Sequence, residues 1–278
     1  MALTEKTVPT AFTTTVTTKV AVWKFTSCDG CQLSLLDCED ELLTIAEHVD
    51  IAYFMEATSR QVPGPYDLSL VEGSISTPEQ VELIQSVRKQ SRFLIAIGAC
   101  ATSGGIQALR NFANIDDYIN VVYATPAYIQ TLDTSTPISD HVTVDMELRG
   151  CPINKQQLLE VLNAFLNQRR AQISDHAVCV ECKLNGTACL AVTQQATCMG
   201  PVTHAGCGAL CPKYNRPCFG CYGPKENANP DALSTWWQTA FKTDTVKIIE
   251  NLQNFNAASP EFHRTADSLR PGGNRDRS

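Results

Sequence analysis

The sequence predicts an α/β protein: a parallel sheet with its helices, followed by a mostly irregular and helical region built around cysteine. Two observations carry this expectation. Short apolar, β-branched runs alternate with helical patterns through residues 19–170, the signature of a parallel sheet. Eight of the thirteen cysteines then crowd between Cys179 and Cys221, a density that points to ligation rather than packing.

Residues 1–18 are rich in threonine and poor in large apolar side chains, so they are expected to form a flexible extension. Residues 19–25 (KVAVWKF) are the first strand, and residues 26–31 the loop at its carboxyl end. A single helix is expected over residues 32–48. Further strands follow at 50–55, 68–72 and 92–97, with a helix over 78–89 between the last two. The loop 98–105 leads to a helix over 106–112, and less regular sequence runs on to the segment 142–148. Residues 154–170 form an amphipathic helix that ends the first domain, with 171–176 as the join. After Pro230 a helix carrying Trp236, Trp237, Phe241, Val246, Ile249 and Leu252 is expected to pack back on the cysteine region. From Thr265 onward Pro, Gly, Arg and Asp dominate, which predicts a loose tail. The expected division is an extension (1–18), a flavodoxin-like sheet domain (19–172), a cysteine domain (173–264) and a tail (265–278).

A chain of 278 residues with 44% hydrophobic content is long enough for two domains and a full core. Its 22 basic and 29 acidic residues give a net charge of -7, and no basic run exceeds Arg169-Arg170. That balance argues against a nucleic-acid or anionic-membrane surface and for protein or small-molecule partners. The start lacks the basic and apolar regions of a secretory signal, and no window approaches a membrane span. A cytoplasmic, soluble protein without direct membrane insertion is therefore expected. In a reducing compartment thirteen cysteines favour metal ligation over disulfides.

By spacing the eight cysteines divide into Cys179-x2-Cys182-x6-Cys189-x8-Cys198 and Cys207-x3-Cys211-x6-Cys218-x2-Cys221. Each Cys-x-x-Cys step delivers two thiolates from one turn of backbone, as iron-sulfur clusters and structural zinc both require. Glycine and proline surround the second set, so backbone amides approach its sulfurs closely, and such N–H groups stabilise a reduced, negatively charged cluster. A third set comes from the sheet. Cys28 and Cys31 follow the first strand, Cys100 follows the fourth, and Cys151 lies in Gly150-Cys151-Pro152. All are expected on loops at one edge of the sheet, where open parallel sheets bind ligands.

These loops resemble the small subunit of a nickel-iron hydrogenase. Cys28-x-x-Cys31, Val71-Glu72-Gly73-Ser74-Ile75, Gly98-Ala99-Cys100-Ala101 and Gly150-Cys151-Pro152 match that family's landmarks in order, over about residues 19–225. The resemblance implies a proximal [4Fe-4S] cluster on Cys28, Cys31, Cys100 and Cys151, facing a nickel-iron centre held in a separate large subunit. It implies a distal cluster on Cys179, Cys182, Cys189 and Cys198 and a medial cluster at Cys207, Cys218 and Cys221. Cys211 departs from membrane-linked members, which have three medial cysteines with a [3Fe-4S] cluster and a histidine as first distal ligand. Here both sets have four cysteines, so three [4Fe-4S] clusters are expected.

The all-cysteine pattern, the Cys28-Asp29-Gly30-Cys31-Gln32 variant and the absent signal resemble the cytoplasmic group that includes sulfhydrogenase delta subunits. That group implies a diaphorase with FAD and NAD(P), or a ferredoxin-like subunit, as the electron partner. The cluster-bearing subunit of respiratory complex I is a related family. It has adjacent cysteines where this chain has Cys28-x-x-Cys31, and it lacks the eight-cysteine domain. The alternatives are an electron-transfer subunit of a non-hydrogenase oxidoreductase related to complex I, and a zinc-stabilised interaction module. No G-x-G-x-x-G follows a strand, so nucleotide binding is assigned to another subunit, and this chain is expected to hold no catalytic residue.

Six further residues are read one by one. Cys38 fits no set and reads as a helix-side thiol. His176 reads as a solvent-facing residue rather than a ligand. His204, between two ligand cysteines, is read first as a loop residue and second as a donor to a cluster sulfur. Glu72 is expected to order backbone amides, with proton transfer as the other reading. The Trp236–Trp237 pair is read as core.

Overall fold

The computed structural model describes residues 17–271. The expected extension falls almost wholly outside them, since β1 already begins at Thr18. In chain order the first elements are β1 (Thr18–Lys24), α1 (Gly30–Leu36), α2 (Glu39–Ala46), β2 (Val49–Phe54), β3 (Tyr66–Glu72) and α3 (Pro78–Gln90). Next come β4 (Ser91–Ile97), α4 (Gly98–Ser103), a 3-10 helix over Ile106–Phe112, α5 (Ile115–Val122), β5 (Met146–Leu148) and α6 (Lys155–Leu166). The cysteine region carries α7 (Val178–Leu184), α8 (Leu190–Thr193), α9 (Leu210–Lys213), α10 (Pro230–Ala240), α11 (Thr245–Leu252) and α12 (Pro260–Leu269).

Strand β1 has Val20 to Trp23 buried in succession, as a central strand covered on both faces requires. The five strands are all parallel in the order β2-β1-β3-β4-β5. That is the flavodoxin-like doubly wound order, whose ligand crevice opens between β1 and β3 at the carboxyl edge. Successive residues of β1 serve opposite faces. Val20 and Val22 pack with Leu35 of α1 and Leu158, Val161 and Leu162 of α6. Ala21 and Trp23 pack with Ile84 and Val87 of α3. Helix α3 starts cleanly because Thr77 and Gln80 form a reciprocal capping box and Pro78 opens the first turn.

The last three helices form a separate core under the cysteine region, with Trp237, Ile248, Leu252, Phe262 and Ala266 packed against Val178, Met199, Val202 and Cys218. Four expected elements differ, the first being the loop over 98–105, most of which is α4. The single helix over 32–48 is two, because Glu39 takes a left-handed backbone (φ 39°) and the chain turns at Cys38. The turn sends the Cys38 thiol into the core, where it donates to the Ser34 carbonyl at 3.5 Å, and leaves Glu39, Asp40 and Glu41 in water. The helix after Pro230 is likewise two, broken where Lys242 is left-handed. The loose tail from Thr265 is instead the second half of α12. Thr265 and Ala266 are buried, and Thr265 Oγ1 donates to Asp231 Oδ1 at 2.7 Å. Beyond residue 271 the expected tail lies outside the described residues.

Candidate metal centres

The sheet delivers the first set. Cys28 follows β1, Cys31 opens α1, Cys100 lies in α4 and Cys151 follows β5, so the topology gathers all four at the carboxyl edge. Their thiols are mutual neighbours. Burial pushes Cys100 up to about 11, the thiols of Cys151 and Cys28 adding to it while Gln107 opposes. Burial, then Cys28, raises Cys151, and burial, then Glu72, drives Cys31 far higher still. Thiols crowded in this way ionise readily only around a cation, which is the behaviour of a thiolate metal site.

Three side chains or backbone positions fix this set. Gly98 has φ +84°, and a Cβ there would lie 2.3 Å from Cys31 Sγ, so only glycine lets α4 come this close. Helix α1 has no capping side chain of its own, and Glu72 at the end of β3 takes over: its carboxylate accepts from Cys31 N at 3.0 Å and Gln32 N at 3.3 Å. This is the amide-ordering role expected for Glu72. Gln107 is a strut the sequence did not reveal. Its amide nitrogen donates to the Thr26 carbonyl at 2.6 Å and to Ser74 Oγ at 3.3 Å, and its oxygen accepts from Cys100 Sγ at 3.5 Å. A lone glutamine in a short helix has no motif, so only tertiary structure exposes it.

The eight later cysteines form two groups. Cys179 and Cys182 lie on α7, Cys189 precedes α8, and Cys198 precedes the 3-10 turn Gly200–Val202. Burial pushes Cys179 up to about 11, followed by the thiols of Cys198, Cys182 and Cys189. Cys207 and Cys211 flank the start of α9, and Cys218 and Cys221 sit in the loop after it. Burial pushes Cys221 up to about 12, followed by Cys207, then Cys151 of the first set, then Cys211. On the other side Cys182 feels Cys207, Cys198 feels Cys211, and Cys218 feels Cys198. The group from Cys207 to Cys221 therefore stands next to both others. Backbone N–H groups aim at sulfur here, Cys218 N at Cys198 Sγ (3.2 Å) and Gly220 N at Cys218 Sγ (3.5 Å).

Two more residues missed in the sequence join the groups. Glu181, inside the Cys179–Cys182 step, turns its carboxylate to the neighbouring loop and accepts from the amides of Gly206, Gly208 and Ala209 at 3.0, 3.1 and 3.2 Å. Tyr222 is buried with its ring against both Gly150 and Gly206, where added Cβ atoms would come within 3.0 and 2.8 Å of it. Among the described residues no three His, Cys, Asp or Glu side chains close to the geometry of a single metal ion. A zinc ion at about 2.3 Å from sulfur needs its thiolates about 3.8 Å apart, whereas a four-iron cube carries them on its outer corners and spaces them more widely.

Residues 28–165 match the family described as NADH ubiquinone oxidoreductase, 20 Kd subunit. The chain is also 37% identical to sulfhydrogenase 2 subunit delta of Pyrococcus furiosus over 211 residues, 76% of this chain and 88% of that protein. This chain belongs to the family of hydrogenase subunits that includes sulfhydrogenase 2 subunit delta. Its relatives within that family are hydrogenase subunits, including one from an F420-non-reducing hydrogenase of Methanocaldococcus jannaschii, 32% identical over 77% of this chain and 84% of that one. Among solved structures, that of an NAD+-reducing [NiFe]-hydrogenase in its H2-reduced state aligns with a TM-score of 0.54 at 28% identity, covering 57% of this chain and 96% of that chain. The stretch matched by the 20 Kd family spans Cys28 to Cys151 and ends before Cys179.

The remaining candidates are placed as follows in this hydrogenase-subunit relative. Cys38 is core and stands apart from the three groups. His176 is exposed beside Asp175. His204 bonds through Nδ1 with the Ala205 carbonyl at 2.7 Å and lines the large cleft between β5, α6 and the loop at Pro224, so it does not serve a cysteine sulfur. Trp237 is fully buried as expected, but Trp236, expected in the core with it, is exposed because it lies on the outer side of α10, its ring tilted against Phe241. No helix among the described residues is long and apolar enough to cross a membrane.

Proposed function

We propose that this chain is the electron-transfer subunit of a nickel-iron hydrogenase, holding three [4Fe-4S] clusters between a nickel-iron large subunit and a diaphorase or ferredoxin-like subunit. The observation that carries this reading is the row of thiol groups, in which the Cys207–Cys221 group neighbours both the sheet-edge group and the Cys179–Cys198 group. Cys28, Cys31, Cys100 and Cys151 hold the proximal cluster, Cys207, Cys211, Cys218 and Cys221 the medial one, and Cys179, Cys182, Cys189 and Cys198 the distal one. When bound, such clusters supply one-electron carriers whose potentials follow ligand set, hydrogen bonds and exposure.

The chain's own residues do the rest. Four cysteine donors to each set match the thiolate ligation of a four-iron cluster. The amides of Cys218 and Gly220 give their N–H groups to sulfur, which favours the reduced state. Burial of Cys31 and Cys218 keeps water from the two inner sets. Similarity to hydrogenase subunits of Pyrococcus furiosus and Methanocaldococcus jannaschii and to an NAD+-reducing hydrogenase structure supports the hydrogen-linked reading over another complex I-like role.

The test is metal and acid-labile sulfide analysis of the anaerobically purified complex, with electron paramagnetic resonance after reduction by hydrogen. About twelve irons and twelve sulfides for each copy of this chain, with nickel confined to its partner, are expected from three four-iron clusters. Zinc without sulfide would overturn the reading.

A further inference from the structure

Two neighbouring groups of thiols meet at one side chain that belongs to neither. Tyr222 follows Cys221 directly, and its ring lies between the sheet-edge loop and the Cys207 loop. A Cβ added to Gly150, the residue before Cys151, would lie 3.0 Å from the ring, and one added to Gly206, the residue before Cys207, 2.8 Å from it. The ring thus touches backbone next to a cysteine on either side while being joined covalently to a third. Both positions must be glycine for it to fit.

The surrounding chain holds this fit. Glu181 accepts from Gly206 N at 3.0 Å, and a Cβ at Gly206 would also lie 2.5 Å from the Gln157 amide of α6. Across the ring, the Gly150 carbonyl accepts from Ala99 N at 2.7 Å. Asn256 donates to the Gly220 carbonyl at 2.7 Å, His204 N to the Gly223 carbonyl at 3.0 Å, and Arg149, next to Gly150, to the Pro224 carbonyl through Nη1. The backbone is therefore fixed on both sides of Tyr222.

Packing does not account for the hydroxyl. Tyr222 is 5% exposed, and its O–H has no hydrogen-bond partner among the described residues. A buried tyrosine normally satisfies its hydroxyl, and a phenylalanine would fill the same gap without leaving a donor unpaired. Burial pushes the phenol well above its usual range, followed by the thiols of Cys207 and Cys221, then Glu181, then Cys31 of the sheet-edge group. The hydroxyl thus stands within reach of both groups, and chiefly of the one from Cys207 to Cys221.

We infer that Tyr222 couples the two groups: its ring fills the gap between Gly150 and Gly206, and its O–H donates to sulfur of the Cys207–Cys221 group. This rests on the proposed electron-transfer role and names a positioning residue for one transfer within it. In that transfer one electron leaves the sheet-edge group and arrives at the Cys207–Cys221 group. No bond forms or breaks, and Tyr222 keeps its proton and is not oxidised. The ring keeps water from the gap, so the electron crosses packed protein. The O–H favours the reduced, more negative state of the group that receives the electron, as other donors to cluster sulfur do.

The experiment uses the intact complex, purified anaerobically, as wild type, Tyr222→Phe and Tyr222→Leu. Electron paramagnetic resonance during redox titration reads the potential of each cluster, and rapid freezing reads the time for an electron from hydrogen to reach the Cys207–Cys221 group. Tyr222→Phe keeps the ring and loses the donor. It is expected to shift the reduction equilibrium of that group about tenfold toward the oxidised form, about 59 mV to more negative potential for one electron, with the other two potentials unmoved. Tyr222→Leu loses donor and ring together, and is expected to share the shift and to slow the electron's arrival several-fold relative to Tyr222→Phe. An unmoved potential in Tyr222→Phe, or one shift spread equally over all three clusters, overturns the inference. So does a Tyr222→Leu complex with full iron and sulfide that fills the group as fast as Tyr222→Phe. The Tyr222→Phe titration is decisive by itself where the larger change costs the complex its clusters. A wild-type complex without iron-sulfur would defeat the electron-transfer reading and the inference with it, an outcome distinct from a fully loaded Tyr222→Phe complex whose potential stays put.

Discussion

Glu181 stands between two cysteines of one group but makes its hydrogen bonds to the loop of another, receiving three amides that a short turn cannot satisfy internally. Leaving a buried donor unpaired costs about 1–3 kcal/mol. Glu181→Ala is therefore expected to lower the anaerobic unfolding midpoint by roughly that energy and to change the resonance signals of both the Cys179–Cys198 and Cys207–Cys221 groups, with the sheet-edge signal unaltered. A variant that disturbs only one of the two later groups would contradict the bridging role. His204 provides a pH dependence. Burial holds its imidazole below the ordinary range of about 6.5, with the nearby Arg149 charge acting the same way and the Ala205 carbonyl opposing. The folded chain thus binds fewer protons here than the unfolded chain, and stability rises with pH across the interval between the lowered pKa and the ordinary one. Acidification from pH 7 through 6.5 and below should destabilise the protein, and His204→Gln should flatten that slope in thermal unfolding followed by circular dichroism.

The helices of the carboxyl-terminal third act as a floor under the cysteine loops. Asn256, between α11 and α12, donates to the Gly220 carbonyl at 2.7 Å, and Phe262 is buried beside Cys218 and Trp237 in one core. Removing a buried phenyl ring costs about 3–5 kcal/mol. Phe262→Ala is expected to lose iron first from the groups beyond residue 176 while the sheet-edge group stays filled, measured as iron and sulfide per chain during mild heating under argon. Elements were legible where many residues shared one period. The buried strands β1, β3 and β4 read as short apolar runs, and α3 carried its own Thr77 and Pro78 start signal. Elements set by one or two residues were not. Helix α4 has six residues, too few for periodicity, and is anchored by Ala99 N donating to the Gly150 carbonyl at 2.7 Å, a contact from the far side of the sheet in sequence. Helix α12 hides in polar composition because only Phe262, Thr265 and Ala266 face inward.

At the scale of the whole molecule, the grouping of cysteines was legible because Cys-x-x-Cys spacing and position after a strand are local facts. Their order in space is not a local fact, and only the resemblance to hydrogenase small subunits supplied it, by putting the set at 207–221 in the medial place. In sequence the groups run sheet edge, then residues 179–198, then residues 207–221, but the third stands between the other two. On the proposed reading, Cys207→Ala is expected to remove or convert the middle cluster, to abolish hydrogen-driven reduction of the acceptor, and to leave hydrogen–deuterium exchange at the partner's nickel site intact. Undiminished acceptor reduction would contradict conduction through the row. The doubling back of the chain also bears on biosynthesis. A nascent chain exposes both ends of the row before Cys221 leaves the ribosome, so the bridge is the last part to exist. On the proposed reading, a prematurely terminated product has an input and an output with nothing between them.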